Sequence, residues 1–149
     1  MRQARNCWPA LVKKASDDVT QIQTELAAAV ARVDQLQASH QRLCRLYDEY
    51  RIKEQQTQTE VMGMQASMNH RQFMAQLLTL QQRVVLDLSK ARVTLAQTRK
   101  KRVLAEVELH KMTSLAEQDA KAVAKDVLRY EQRQMDELGV RQFNLSPQI

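Results

Sequence analysis

The feature that most constrains this chain is a run of mostly apolar positions that recur in strictly alternating steps of four and three residues. Its members are Trp8, Val12, Ala15, Val19, Ile22, Leu26, Ala29, Val33, Leu36, His40, Leu43, Tyr47 and Tyr50. This spacing places them on one stripe of an α-helix, which is the seam of a coiled coil. Pro9 fits a first helical turn, so we predict helix 1 over about 9–62.

A second seam follows, with one extra step of four that a coiled coil tolerates. Its members are Phe73, Leu77, Leu80, Val84, Leu88, Ala91, Leu95, Thr98, Arg102, Ala105, Leu109, Met112 and Ala116. The pattern then loosens through Val123, Val127, Tyr130, Met135 and Leu138. Because Gly139 is a common helix stop, we predict helix 2 over about 70–138 and a flexible tail over 139–149.

Between the seams, Gly63, Ser67 and Asn69 form a cluster of breaker and capping residues, and Asn69 with Gln72 resembles a capping box. We therefore predict a turn over about 63–69. Only 2 Gly, 2 Pro and 4% aromatic residues are present, which is too few for an ordinary globule. The predicted fold is all-α, a long antiparallel two-helix coiled-coil hairpin that forms a single domain over 1–149.

In an antiparallel pair, facing residues have position numbers with a constant sum. A sum of 131 matches the two seams and centres the turn near residues 64–66. In this register Leu36 faces Leu95, while the middle of the seam is weak because Ala29 faces Arg102 and Val33 faces Thr98. A shift by one heptad would also match the seams, so the turn residues select the register.

Several function classes are disfavoured. The longest apolar run, Leu26–Ala31, is far shorter than a membrane helix, so we expect a soluble chain. Cys7 and Cys44 lie too far apart on one helix to form a disulfide, which favours a reducing, cytoplasmic setting. His40, His70 and His110 are too dispersed to share a metal. We predict no catalytic site, no cofactor, no metal and no small-molecule substrate.

Positive charge is concentrated on helix 2. Residues 71–102 contain only Asp87 against the basic residues Arg71, Arg83, Lys90, Arg92, Arg99, Lys100, Lys101 and Arg102. This face is either solvated or contacts an acidic protein surface. Nucleic acid is a weaker alternative, because no aromatic or glycine residues interleave with the basic run.

Near the predicted turn, helix 2 is more apolar than the part of helix 1 that faces it. In the predicted register Leu77 faces Glu54 and Met74 faces Thr57, so helix 1 leaves an apolar patch uncovered. The patch consists of Phe73, Met74, Leu77, Leu78 and Leu80, with Tyr47 and Tyr50 close by. Either Ile52, Val61 or the turn covers this patch, or it is a protein interface.

Three segments resemble the flagellar type III export protein FliJ family, and together they span nearly the whole chain. They carry Leu43 with Tyr50-Arg51, then Arg71-Gln72-Phe73 with Leu77, and finally Gln134-Met135-Asp136-Glu137 before Arg141. Two positions depart from the family pattern. Leu46 stands where an aromatic is common, with Tyr47 one place later, and Leu138 replaces a common Phe.

The resemblance implies a non-enzymatic stalk, similar to the γ stalk of rotary ATP synthases, that inserts into the ring of a hexameric export ATPase. Paired terminal halves, about 8–36 and 95–138, would occupy the ring, and we assign ATPase binding to Arg99, Lys100, Lys101, Arg102, Met135, Asp136 and Glu137. The hairpin tip would contact the membrane export gate. The gate-binding positions are Leu43, Leu46, Tyr47, Tyr50, Phe73, Leu77, Leu80 and Val84.

The resemblance also implies export chaperones as partners and a cytoplasmic location with peripheral attachment to the inner membrane. The alternatives are the homologous stalk of a virulence injectisome, a general chaperone-type hairpin and a nucleic-acid-binding coiled coil. A chaperone would bind many unfolded clients, and a nucleic-acid binder would lose affinity steeply with salt.

Overall fold

The computed structural model describes residues 7–57 and 63–145, and every one of them except Gly63 is helical. Helix α1 spans Cys7–Thr57 and helix α2 spans Met64–Leu145. The two helices are in contact, which confirms the predicted all-α, two-helix hairpin. Pro9 lies in the first turn of α1, where its missing N–H is not needed.

Helix α2 is longer at both ends than the sequence predicted. The turn predicted over 63–69 is wrong, because α2 begins at Met64 and the Ser67 amide donates to the Gly63 carbonyl at 3.1 Å. Ser67 and Asn69 are therefore inside the helix, and the Asn69 capping box does not form. The predicted stop at Gly139 is also wrong. A helical glycine costs only about 0.5–1 kcal/mol, and α2 continues to Leu145.

The remaining parts of those predictions, residues 58–62 of helix 1 and residues 146–149 of the tail, lie outside the described residues. Within the described ones, contacts divide the chain into two compact units. The central unit contains the described residues between 22 and 102, and the terminal unit contains residues 7–21 with residues 103–145.

The central unit is held by a narrow seam between α1 and α2. Val33, Leu36 and Leu88 form its buried cluster, and Val84, Ala91 and Leu95 pack against this cluster. Met74 and Leu77 are buried closer to the start of α2. The buried Thr98 hydroxyl donates to the Thr94 carbonyl at 2.8 Å, so this polar side chain is satisfied within its own helix.

Two polar contacts between α1 and α2 show the register of the central unit. Gln81 Nε2 donates to the Leu43 carbonyl at 3.2 Å, and His70 Nε2 lies 3.3 Å from Glu54 Oε2 without forming a hydrogen bond. The position numbers of both pairs add to 124, as do those of Leu36 and Leu88 in the buried cluster.

The predicted register of 131 is therefore wrong by one heptad in this unit. The error followed from the turn: because α2 begins at Met64, the helices meet several residues earlier than the sequence signals indicated. The weak pairs of the predicted register, Ala29 with Arg102 and Val33 with Thr98, therefore do not face each other. In the observed register Val33 lies level with Ala91, and both belong to the buried cluster or pack against it.

The terminal unit buries Ala15 and Val19 of α1. On α2, residues 112–116 are half-buried, as are Asp119, Ala122, Val123, Asp126 and Val127. Trp8 is also half-buried, and its indole Nε1 is buried without a hydrogen-bond partner. From Leu128 to Leu145 every residue of α2 is exposed.

A disulfide test distinguishes the observed register from the predicted one. With Cys7 and Cys44 replaced by serine, Leu36→Cys combined with Leu88→Cys should form an intramolecular disulfide under mild oxidation. Leu36→Cys with Leu95→Cys is the matched control, because residues 88 and 95 differ by one heptad, or about 10.5 Å along the helix. Faster closure of the control pair in a thiol-trapping assay would restore the register of 131.

Candidate functional site

The predicted gate-binding positions all lie in the central unit, on the parts of α1 and α2 nearest the turn. On α1, Leu43, Tyr47 and Tyr50 continue the seam in steps of four and three. On α2, Phe73, Leu77, Leu80 and Val84 do the same. Because the observed register places these two runs at the same level, the structure brings the predicted positions together. We call this set, including Leu46, the tip surface.

An aromatic contact joins the two helices within the tip surface. The rings of Tyr50 and Phe73 meet edge to face, with centroids 4.7 Å apart. The His70 ring lies 6.3 Å from Tyr50 on one side, and Lys53 Nζ lies 5.4 Å from the Tyr50 ring centroid. Edge-to-face and cation–π contacts each stabilise an arrangement modestly, so they hold Tyr50 in place across the seam.

Exposure divides the tip surface into two kinds of residue. Leu77 is 4% exposed, whereas Leu80 is 48% exposed, and Leu46 and Phe73 are also exposed. Leu43, Tyr47, Tyr50 and Val84 are half-buried. The expectation that Leu77 and Met74 would be uncovered is wrong, because the heptad shift puts Tyr47 level with Leu77 and leaves Glu54 beside His70.

The structure also shows exposed apolar residues that the sequence reasoning missed. Met64 and Met68 lie one helical turn apart at the start of α2, and both are highly exposed. The sequence signals predict a turn over this segment, so they do not indicate that these side chains share a helix face. Methionine side chains are flexible and polarizable, and they are common on surfaces that adapt to partners.

The predicted ATPase-binding residues are all at the surface. Arg99, Lys100, Lys101 and Arg102 are exposed in the central unit, and so are the other four basic residues between 71 and 102. In the terminal unit Met135, Asp136 and Glu137 are exposed. These side chains therefore lie on the surface, where a partner can reach them.

The surface pockets of the central unit are shallow. One, of about 300 Å³, is lined by Ala29, Arg32, Asp87, Lys90, Ala91 and Thr94. Another, of about 460 Å³, is lined by Gln23, Leu26, Ala27, Val30, Ala31, Asp34 and Arg102. Over residues 7–57 and 63–145 there is no group of three or more side chains that could hold a metal. Neither described helix is apolar enough along its length to cross a membrane.

Both cysteines are free thiols. Cys7 is exposed, and Cys44 is half-buried with its Sγ 3.7 Å from His40 Nε2. These residues stand four apart on α1, so their contact is within one helix face.

The fold and these surfaces define a class, a two-helix coiled-coil protein that exposes apolar and basic surfaces on long helices. A family model described as flagellar FliJ protein matches residues 10–148. The chain therefore belongs to the FliJ family and is a flagellar type III export-related protein. Comparison with curated proteins gave no match, and neither did comparison with solved structures.

The division of the tip surface predicts different effects for two neighbouring leucines. Leu77→Ala should lower the free energy of unfolding by about 2–5 kcal/mol, because it leaves a cavity in the seam. Leu80→Ala is the matched control and should cost less than about 1 kcal/mol, since the side chain is half in water. Urea unfolding followed by circular dichroism measures both. Equal losses for the two variants would contradict the assigned burial.

Proposed function

We propose that this chain is a non-enzymatic stalk and coupling protein of the flagellar type III export apparatus. It binds the hexameric export ATPase, promotes its assembly and activity, and contacts the export gate in the membrane. The observation that carries the proposal is the FliJ family match over residues 10–148. A hairpin of two long helices supports it, because such a structure can engage a ring and a second partner at separate positions.

ATPase binding is assigned to the basic run Arg99–Arg102 and to the exposed residues Met135, Asp136 and Glu137. Four adjacent cations on one helix create a positive potential that attracts an acidic partner surface. The neighbouring exposed residues Arg83, Lys90 and Arg92 extend the same sign of charge along α2.

Gate binding is assigned to the tip surface. Its exposed members Leu46, Phe73 and Leu80 can become buried in a complex, and the aromatic contact between Phe73 and Tyr50 holds one of them in a defined position. Ordered apolar and aromatic side chains are typical interface anchors, because little conformational freedom is lost on binding. Leu77 contributes by supporting this surface from within the seam.

Export chaperones are further proposed partners, and neither surface is assigned to them. In the cell we place the chain in the cytoplasm, with peripheral attachment to the inner membrane through the export apparatus. The family match favours a flagellar system over an injectisome.

The ATPase assignment predicts that adding this protein to the export ATPase of the same organism increases both the hexamer population and the rate of ATP hydrolysis. Both gains should shrink as salt is added, because the basic run is exposed and its charge is screened. Analytical ultracentrifugation and a phosphate-release assay measure the two effects. An ATPase whose oligomeric state and rate are unchanged at low salt would exclude the proposal.

Charge reversal localises the contact. Arg99→Glu with Lys100→Glu should weaken ATPase binding about three- to tenfold at low salt, as expected for two exposed ionic contacts. Arg42→Glu with Arg45→Glu makes the same change in net charge at exposed positions of α1, outside the basic run, and is the control. If both pairs weaken binding equally, total charge is responsible and the basic run is not a specific site.

The gate assignment predicts that Phe73→Ala and Leu80→Ala each weaken binding to the export gate by about 1–2 kcal/mol, just below the range of interface hot spots. Calorimetric titration measures the affinities. Leu86→Ala removes an equally large, exposed side chain of α2 outside the tip surface and should leave the affinity unchanged. Wild-type affinity for both tip variants would leave the gate site elsewhere.

A further inference from the structure

The last part of α2, residues 128–145, is a helix without a covering partner among the described residues. Every residue in it is exposed, and we call it the exposed segment. Its exposed large apolar side chains include Leu128 at 65%, Met135 at 71%, Leu138 at 56% and Leu145 at 82%, and Tyr130, Val140 and Phe143 are exposed as well. Apolar residues that are regularly spaced and uncovered on a stable helix mark an interface.

These four leucine and methionine positions belong to a separate heptad seam. Counted from Leu128, the steps alternate between three and four and give Leu128, Glu131, Met135, Leu138, Gln142 and Leu145. All six positions therefore lie on one stripe of the helix. The stripe is out of phase with Ala105, Leu109, Met112 and Ala116, so it does not simply continue the seam toward α1.

The stripe is complementary to itself when reversed. In an antiparallel pair of exposed segments, Leu128 meets the partner's Leu145, and Met135 meets the partner's Leu138. The remaining polar pair is Glu131 with the partner's Gln142. All three pairs have position numbers that add to 273. We propose that the exposed segment binds the exposed segment of a second copy of this chain, as an antiparallel coiled coil.

The polar pair selects this orientation. In a parallel pair the two Glu131 carboxylates would meet each other, which is unfavourable because like charges repel. In the antiparallel pair the amide of the partner's Gln142 can donate to Glu131. Arg141 stands beside Gln142 in the sequence, so the partner's Arg141 lies at the same level and complements the Glu131 charge.

The length of the segment sets the strength of the association. Eighteen helical residues span about 27 Å, so two paired segments form an interface at the small end of specific interfaces. The dimer is therefore transient and concentration-dependent. The segment is already helical in α2, which removes the ordering cost that makes short isolated coiled coils unstable.

Disulfide trapping between two single-cysteine variants tests both association and orientation. Leu128→Cys and Leu145→Cys are made separately in chains with Cys7 and Cys44 replaced by serine. An equimolar mixture, oxidised mildly, should give a mixed disulfide dimer. Each variant alone should stay monomeric on a non-reducing gel, because residues 128 and 145 are about 26 Å apart along the helix.

Disulfide dimers of Leu128→Cys alone would indicate parallel pairing, and the absence of a mixed dimer would indicate no pairing. Either result overturns the proposal. Sedimentation equilibrium supplies a second readout without cysteines. Met135→Glu should weaken dimerisation about tenfold or more, because it introduces a charge at the centre of the paired stripe. Val140→Glu makes the same kind of change on the opposite face and should have little effect.

The proposal does not rest on the export function, because the purified chain alone is measured. A failure of dimerisation would leave the ATPase and gate assignments untouched. Conversely, failure of those assignments would leave the antiparallel dimer intact.

Discussion

The narrow seam between α1 and α2 is the constraint on which the central unit depends. Few side chains are buried, and none of the large ones in the described residues is completely enclosed. The apolar cluster around Leu36 and Leu88 stabilises the helix pair. Because heptads repeat, shifting one helix by seven residues would bury almost as much apolar surface. The start of α2 at Met64 breaks this degeneracy, because it fixes where the two helices meet. In the resulting register Gln81 donates to the Leu43 carbonyl, and His70 lies beside Glu54.

This degeneracy explains which parts of the fold could be predicted from the sequence. The two seams and the helical class follow from periodicity, and the antiparallel pairing follows from the short connection between the seams. Neither depends on the exact position of the turn. The register could not be read in the same way, because it was decided by the position of the turn. Ser67 and Asn69 disfavour the helix interior by only a few tenths of a kcal/mol, so the segment from Met64 remains helical. A predicted start of helix 2 six residues too late became a one-heptad error in the seam.

The candidate site was predictable to the same extent. Spacing placed Tyr50, Phe73, Leu77 and Leu80 on neighbouring faces, and the structure brings them to one level. Spacing could not separate Leu77 from Leu80, because both are seam positions and their burial depends on which residue of α1 stands opposite. With Tyr47 level with Leu77, that leucine becomes structural, while Leu80 stays in water. The exposure of Met64 and Met68 could not be predicted, because it depends on α2 beginning at Met64.

Because the seam between the helices is narrow, few residues are buried. The specificity of binding must therefore depend on exposed residues. The exposed segment is a surface that both the proposed ATPase contact and the proposed dimer use. Met135 is a proposed ATPase contact, and it is also at the centre of the stripe that pairs with a second copy. One side chain cannot be buried against both partners at once, so the two proposed interactions exclude each other. If both occur, free chains at high concentration would cover this part of their ATPase-binding surface, and the ATPase would have to displace a weak dimer before it could bind.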